Sequence, residues 1–178
     1  MNKKFYIIHG YGADSSSNFF PWLKNKLNQE KIFCEVLDLP NTNFPNLNEW
    51  INYLKNHIEI NENTYLICHS LGCISALKYI DKYNLAKIKG IYLVSGFDQA
   101  LPLFPQLNSF TNTKINYQKV IKKINLRYVI SSYDDELVPF ELSKKLAENI
   151  SAKFIELNNY GHFLVEQVPE IYDLIKKH

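Results

Sequence analysis

Six short apolar runs punctuate this chain, at residues 5–8, 32–37, 65–67, 88–94, 126–130 and 154–157. Each has the length of a buried strand. Most are followed by apolar residues at helical spacing. Phe20, Trp22, Leu23 and Leu27 form one such set, and Leu47, Trp50, Ile51, Leu54 and Ile58 a second. Ile74, Leu77 and Ile80 form a third, and Leu142, Leu146 and Ile150 a fourth. Further helices are expected around 117–124 and from Pro169 to about 177. A helical crossover between strands lets neighbours run parallel, and the alternation is continuous from end to end. The expectation is an α/β fold: about six mostly parallel strands with helices on both faces, in one domain covering 1–178. Residues 97–118, with Pro102 and Pro105, break the pattern and are expected to form a short cap or flexible loop over a pocket. The first helix is expected to find its cap among Ser15 to Ser17, with Pro21 in its first turn.

Composition narrows the function classes. With 46% hydrophobic and 21% charged residues, the 178-residue chain has the balance of a soluble globular protein. A net charge of +2 makes no electrostatic case for nucleic acid or an anionic membrane. The three cysteines fit no zinc spacing and read as reduced thiols, which favours the cytoplasm. The run at 5–8 is too short for a signal-peptide core, and no stretch is long enough to span a bilayer. No metal or cofactor is expected.

In a parallel sheet, ligands bind beyond the carboxyl ends of the strands. The chemistry-bearing residues of this chain fall there. The third strand runs directly into a helix through His69-Ser70-Leu71-Gly72. That context is the nucleophile elbow, G-x-S-x-G in its usual form, here with Cys68 at the first glycine position. A serine hydroxyl needs a neighbouring base, and His162 after the sixth strand is the candidate. A carboxylate must hold the imidazole tautomer, and Asp135 is preferred over its neighbour Asp134. The order Ser, Asp, His is that of α/β-hydrolases. An oxyanion needs preorganised N–H donors. The Leu71 amide is one, and the Tyr11 amide the second, with Gly12 as the alternative. Gly10 and Gly12 would let the backbone approach a bound acyl group.

These stretches carry a resemblance. His9-Gly10 after the opening strand, Trp50, His69-Ser70-Leu71-Gly72 and Leu93-Val94-Ser95-Gly96 all match. So do Ser132-Tyr133-Asp134-Asp135 with Val138-Pro139, and Gly161-His162-Phe163. Over nearly its whole length the chain resembles the small serine hydrolases of the retinoblastoma-binding-protein/YdeN type, a branch of the α/β-hydrolase fold. The resemblance implies a compact hydrolase with a minimal lid and a Ser70–Asp135–His162 triad. It also implies carboxylesterase-like activity on small or acyl-chain esters. The retinoblastoma-pocket motif L-x-C-x-E is not met, because the stretch from Leu66 ends in Ser70, so that partner is not carried over.

Other readings compete. Cys68 in the elbow leaves room for a non-catalytic binding protein that keeps the fold. Gly10-Tyr11-Gly12 followed by Ser15 is only a partial dinucleotide fingerprint, and it leaves Ser70 and His162 unexplained. His69 lies too close to Ser70 to be its base and reads as structural. His9 is expected to shape the oxyanion loop, and His57 to be an exposed helix residue.

Overall fold

The structure is a computed structural model and describes residues 3–178. Strands β1 (Lys4–Ile8), β2 (Phe33–Leu37), β3 (Thr64–His69), β4 (Ile88–Val94), β5 (Ile124–Ser132) and β6 (Lys153–Leu157) form one sheet in the order β2-β1-β3-β4-β5-β6. Every neighbouring pair is parallel. The helices are α1 (Phe20–Gln29), α2 (Leu47–His57), α3 (Leu71–Lys82), α4 (Asn108–Thr111), α5 (Tyr117–Lys123), α6 (Phe140–Asn149) and α7 (Pro169–Lys176). Because all strands point the same way, every loop that follows a strand lies at one edge of the sheet.

Period-two alternation assigns each strand residue to a face. Tyr6, Ile8, Leu66, Cys68, Ile91, Leu93 and Val129 pack on one side, with α2, α3, α5 and α6. Phe5, Ile7, Tyr65, Ile67, Tyr92, Val94, Tyr128 and Ile130 pack on the other, with α1 and α7. On that second face four rings cross the sheet. Phe5 stacks on Tyr65 at 4.5 Å, Tyr65 on Tyr92 at 6.5 Å, and Tyr92 on Tyr128 at 5.4 Å. Gly90, opposite Tyr65, makes room: a Cβ there would lie 2.9 Å from the tyrosine ring.

The strands run longer than the apolar runs. β3 extends to His69, and β5 spans Ile124–Ser132 rather than 126–130. The expected cap of α1 is not among Ser15 to Ser17. Ser16 and Ser17 wrap the Asp14 carboxylate instead, with the Ser16 amide and the Ser16 and Ser17 hydroxyls donating to it, while Ser15 donates to Asp38. The helix starts at Phe20 without a side-chain cap, and Pro21 occupies its first turn. Between β4 and α5 the chain forms a 3₁₀ turn (Pro105–Leu107) and α4, a short cap folded on Leu107 and Phe110.

Leu77 is wholly buried in the core between α3 and the sheet, whereas Phe44 is 88% exposed. Leu77→Ala should cost about 2–5 kcal/mol of stability. Phe44→Ala should change it by less than about 0.5 kcal/mol. Urea unfolding midpoints check both.

Candidate active site

The site is built at the junction of β3 and α3. Ser70 takes φ 53°, ψ −122°, in the sparsely populated left-handed half of backbone space. Its amide donates to the Val94 carbonyl at 2.9 Å, so strand pairing holds up to the residue where the chain turns. Two residues on, the start of α3 presses against the end of β1. A Cβ on Gly72 would lie 2.4 Å from the Ile8 carbonyl oxygen and 2.5 Å from that of His9. No side chain fits there, so this glycine is obligatory for the turn. Cys68 does not disturb it. Its side chain lies in the core on the α3 face, and the Cys73 thiol donates to the Cys68 carbonyl.

His162 arrives from the loop after β6, 92 residues downstream of Ser70. Its Nε2 lies 2.9 Å from Ser70 Oγ, and its Nδ1 lies 2.9 Å from Asp135 Oδ2 and 3.1 Å from Oδ1. The carboxylate only accepts, so Nδ1 carries the proton and Nε2 is free to accept from the serine hydroxyl. Asp135 sits in the loop after β5 with its side chain fully shielded. Burial by itself would raise its pKa. The His162 ring, the Val138 amide and the Ser95 hydroxyl outweigh that and hold it below the usual carboxylate range. It is therefore ionised where the imidazole needs an anion.

The two adjacent aspartates divide. Asp134 turns away from the imidazole and accepts from the Ser132 hydroxyl and the amides of Asn159 and Gly161. It thereby ties down the loop that delivers His162. Ser132 adds a second tie by accepting from the Tyr160 amide at 3.1 Å. Gly161 (φ 51°) and Phe163 (φ 57°) supply the bends, and Phe163 is wholly buried as the anchor.

The loop after β1 lies alongside the elbow. A Cβ on Gly10 would touch the Ser70 Cβ at 2.9 Å and the Leu71 nitrogen at 3.4 Å. The Gly12 amide is engaged with the Thr42 carbonyl at 2.9 Å, which removes the alternative donor. His9 braces this loop: its Nε2 accepts from the Leu39 amide, which leaves Nδ1–H to donate to the Gly10 carbonyl. His69 is buried behind the imidazole and hydrogen-bonds the His162 carbonyl through Nε2 at 2.8 Å. Burial, reinforced by the neighbouring His162, pushes the His69 pKa down to about 3. His57 is exposed on α2, where it bonds the Tyr53 carbonyl and stacks on the Tyr53 ring.

Above Ser70 opens a cavity of about 250 Å³. Gly10, Tyr11, Gly12, His69, Ser70 and His162 form its polar floor. Leu101, Phe104 and Leu107 from the 97–118 cap form one wall, and Leu137, Val138 and Leu164 another. The wall from 97–118 meets the expectation of a cap over a pocket, whereas Leu137 and Leu164 had no signal in the sequence beyond their position after strand ends. Ser95 and Ser132 lie in stretches that carry the resemblance, but nothing in the sequence assigns them to the two aspartates they bond.

A parallel sheet ending in a strained serine elbow, with a histidine and a carboxylate delivered from later strand ends, is the arrangement of the α/β-hydrolase fold. The serine hydrolase family profile matches residues 5–177. The chain belongs to that family, and it is a hydrolase. It is 41% identical over 181 residues to the Bacillus subtilis (strain 168) protein YdeN, covering 98% of this chain and 95% of that one. The crystal structure of YdeN superposes with a TM-score of 0.96, covering 99% and 98% of the two chains. Rat serine hydrolase RBBP9 is 23% identical over 94% of this chain and 88% of its own. Polyneuridine aldehyde esterase, at 14% identity, shares the fold with a TM-score of 0.76 over 99% of each chain. Among the described residues, no helix is long and apolar enough to cross a membrane.

His69 makes the fold acid-sensitive. Its ordinary pKa of 6.5 falls to about 3 on folding, so only the unfolded chain takes up a proton in between. Stability from neutral His69 is complete above 6.5 and lost as pH falls, by about 1.4 kcal/mol per unit until about pH 3. His9, also lowered by burial, adds in the same sense. Urea midpoints should therefore drop between about pH 7.5 and about pH 5. His69→Asn should flatten that dependence.

Proposed function

We propose that the chain is a carboxylesterase-like hydrolase that cleaves small uncharged esters through an acyl-enzyme on Ser70. The observation that carries this is the continuous hydrogen-bonded line from Ser70 Oγ through His162 to Asp135, opening into an apolar cavity. Ser70 Oγ attacks the ester carbonyl as its proton passes to His162 Nε2. Asp135 holds Nδ1–H and stabilises the imidazolium. The amides of Leu71 and Tyr11, which make no hydrogen bond among the described residues, receive the oxyanion. The intermediate collapses, and the alcohol leaves with the proton from Nε2. Water then attacks the acyl carbon, giving its proton to His162. The acid departs and Ser70 recovers its hydrogen.

Cavity size and lining support the substrate class. A cavity of about 250 Å³ with mostly apolar walls suits a small acyl group. Its lining includes no lysine, arginine, aspartate or glutamate, so a charged acyl chain would be desolvated without a partner. Both hydrophobic clusters share one sheet, which supports a single domain over 1–178. Three buried free thiols fit a cytoplasmic setting.

A fluorophosphonate probe should label Ser70 in the folded protein, and Ser70→Ala should abolish both labelling and ester turnover. In a p-nitrophenyl ester series, rates should peak at acyl chains of about two to six carbons and fall steeply for long chains. Labelling without turnover of any ester would sink the ester assignment. Asp135→Asn should lower kcat by about 10³–10⁴-fold, and Asp134→Asn by far less.

A further inference from the structure

Resting on the Ser70–His162–Asp135 reading above, we infer that Ser95, at the end of β4, is a positioning residue that fixes the Asp135 carboxylate toward His162. Its side chain is wholly buried, and Ser95 Oγ donates to Asp135 Oδ2 at 2.7 Å. Asp135 Oδ1 is occupied differently: the amides of Leu137 and Val138 both donate to it at 2.9 Å. Among the described residues, Oδ2, the oxygen nearer His162 Nδ1, thus has one donor besides the imidazole, and that donor is Ser95. With both oxygens held, the carboxylate plane cannot rotate away from the ring. An O–H···O⁻ bond of this length is of the strong, charge-assisted kind.

The backbone makes the same point. Ser95 has φ 48°, a conformation that a residue with a Cβ seldom adopts and that glycine takes freely. The surroundings enforce it. The Ser95 amide donates to the Ile130 carbonyl at 2.9 Å, continuing the β4–β5 ladder past the strand. The next residue, Gly96, is pressed against Leu146 and Cys73, and its carbonyl accepts from the Ser143 hydroxyl at 2.7 Å. The chain must turn here, and glycine would turn more easily. Serine in this position bears the strain and supplies a hydroxyl to the buried carboxylate at Oδ2, where no backbone amide donates among the described residues.

The consequence is a defined electrostatic role. The hydroxyl disperses part of the charge on Oδ2. Without it, the carboxylate binds the imidazolium more tightly but is less firmly oriented. Both effects reach Ser70 only through His162, so ester binding is untouched.

The test compares wild type, Ser95→Ala and Ser95→Gly on the preferred p-nitrophenyl ester, with Ser70→Ala as control. Ser95→Gly relieves the strained φ and keeps the fold if alanine does not. Expected are a kcat about tenfold lower in both variants and a KM within about twofold of wild type. The acid limb of kcat/KM against pH should move up by about half a unit or more. A purely structural role for Ser95 would leave that limb in place. If Ser70→Ala is inactive while a folded Ser95 variant keeps the wild-type kcat and pH profile, this inference alone is overturned. If Ser70→Ala turns over ester like wild type, the underlying reading falls and this one with it.

Discussion

The contact on which this site depends has no side chain in it. At Gly72, the first turn of α3 comes close enough to the Ile8 and His9 carbonyls that any Cβ would overlap them. That proximity brings the helix up against β1 directly after β3 ends. Ser70 is the residue left in the gap, and its left-handed φ is how the chain turns so abruptly. The same approach sets the Gly10–Tyr11 backbone beside the N-terminal amides of α3. A larger residue at 72 would push the helix out and disperse hydroxyl and amides together. Cys68, one strand position removed from the turn, can be larger than glycine because its side chain points into the core.

Parallel strand direction does the rest of the assembly. Each loop after a strand arrives at the same edge, so residues far apart in sequence meet without a long excursion of the backbone. β1 delivers the Gly10–Tyr11 backbone, β3 the serine, β4 Ser95, β5 both aspartates and β6 the histidine. These arms are tied to each other by polar bonds at the rim of the sheet. Asp134 and Ser132 hold the β6 loop to the β5 loop. His69 holds the β6 loop to the elbow. His9 holds the β1 loop to the chain after β2. Together these bonds hold the His162 loop, the elbow and the loop after β1 in register with one another.

The features legible beforehand were those written into local pattern. The elbow showed itself because a strand period, four turn residues and a helix period follow one another without interruption. Gly161-His162 was visible because it follows a short apolar run. Asp134 and Asp135 could not be separated by pattern with certainty of role, since adjacent residues in a loop point apart for reasons set by distant partners. The α1 cap was misplaced because Asp14 attracts the hydroxyls of Ser16 and Ser17, a local competition that leaves the helix uncapped. The Gly12 amide looked as free as that of Tyr11 until the chain after β2, 30 residues away, claimed it through Thr42.

The order of strands and helices, and the edge of the sheet to which each loop belongs, follow from hydrophobic periodicity, which every residue's neighbours along the chain already determine. Which carboxylate oxygen faces the imidazole, which amides find no partner among the described residues and which leucines wall the cavity are different in kind. They depend on contacts between segments tens of residues apart, whose distances no local pattern encodes. Those were decided only when the sheet closed and the loops at its edge were packed against one another.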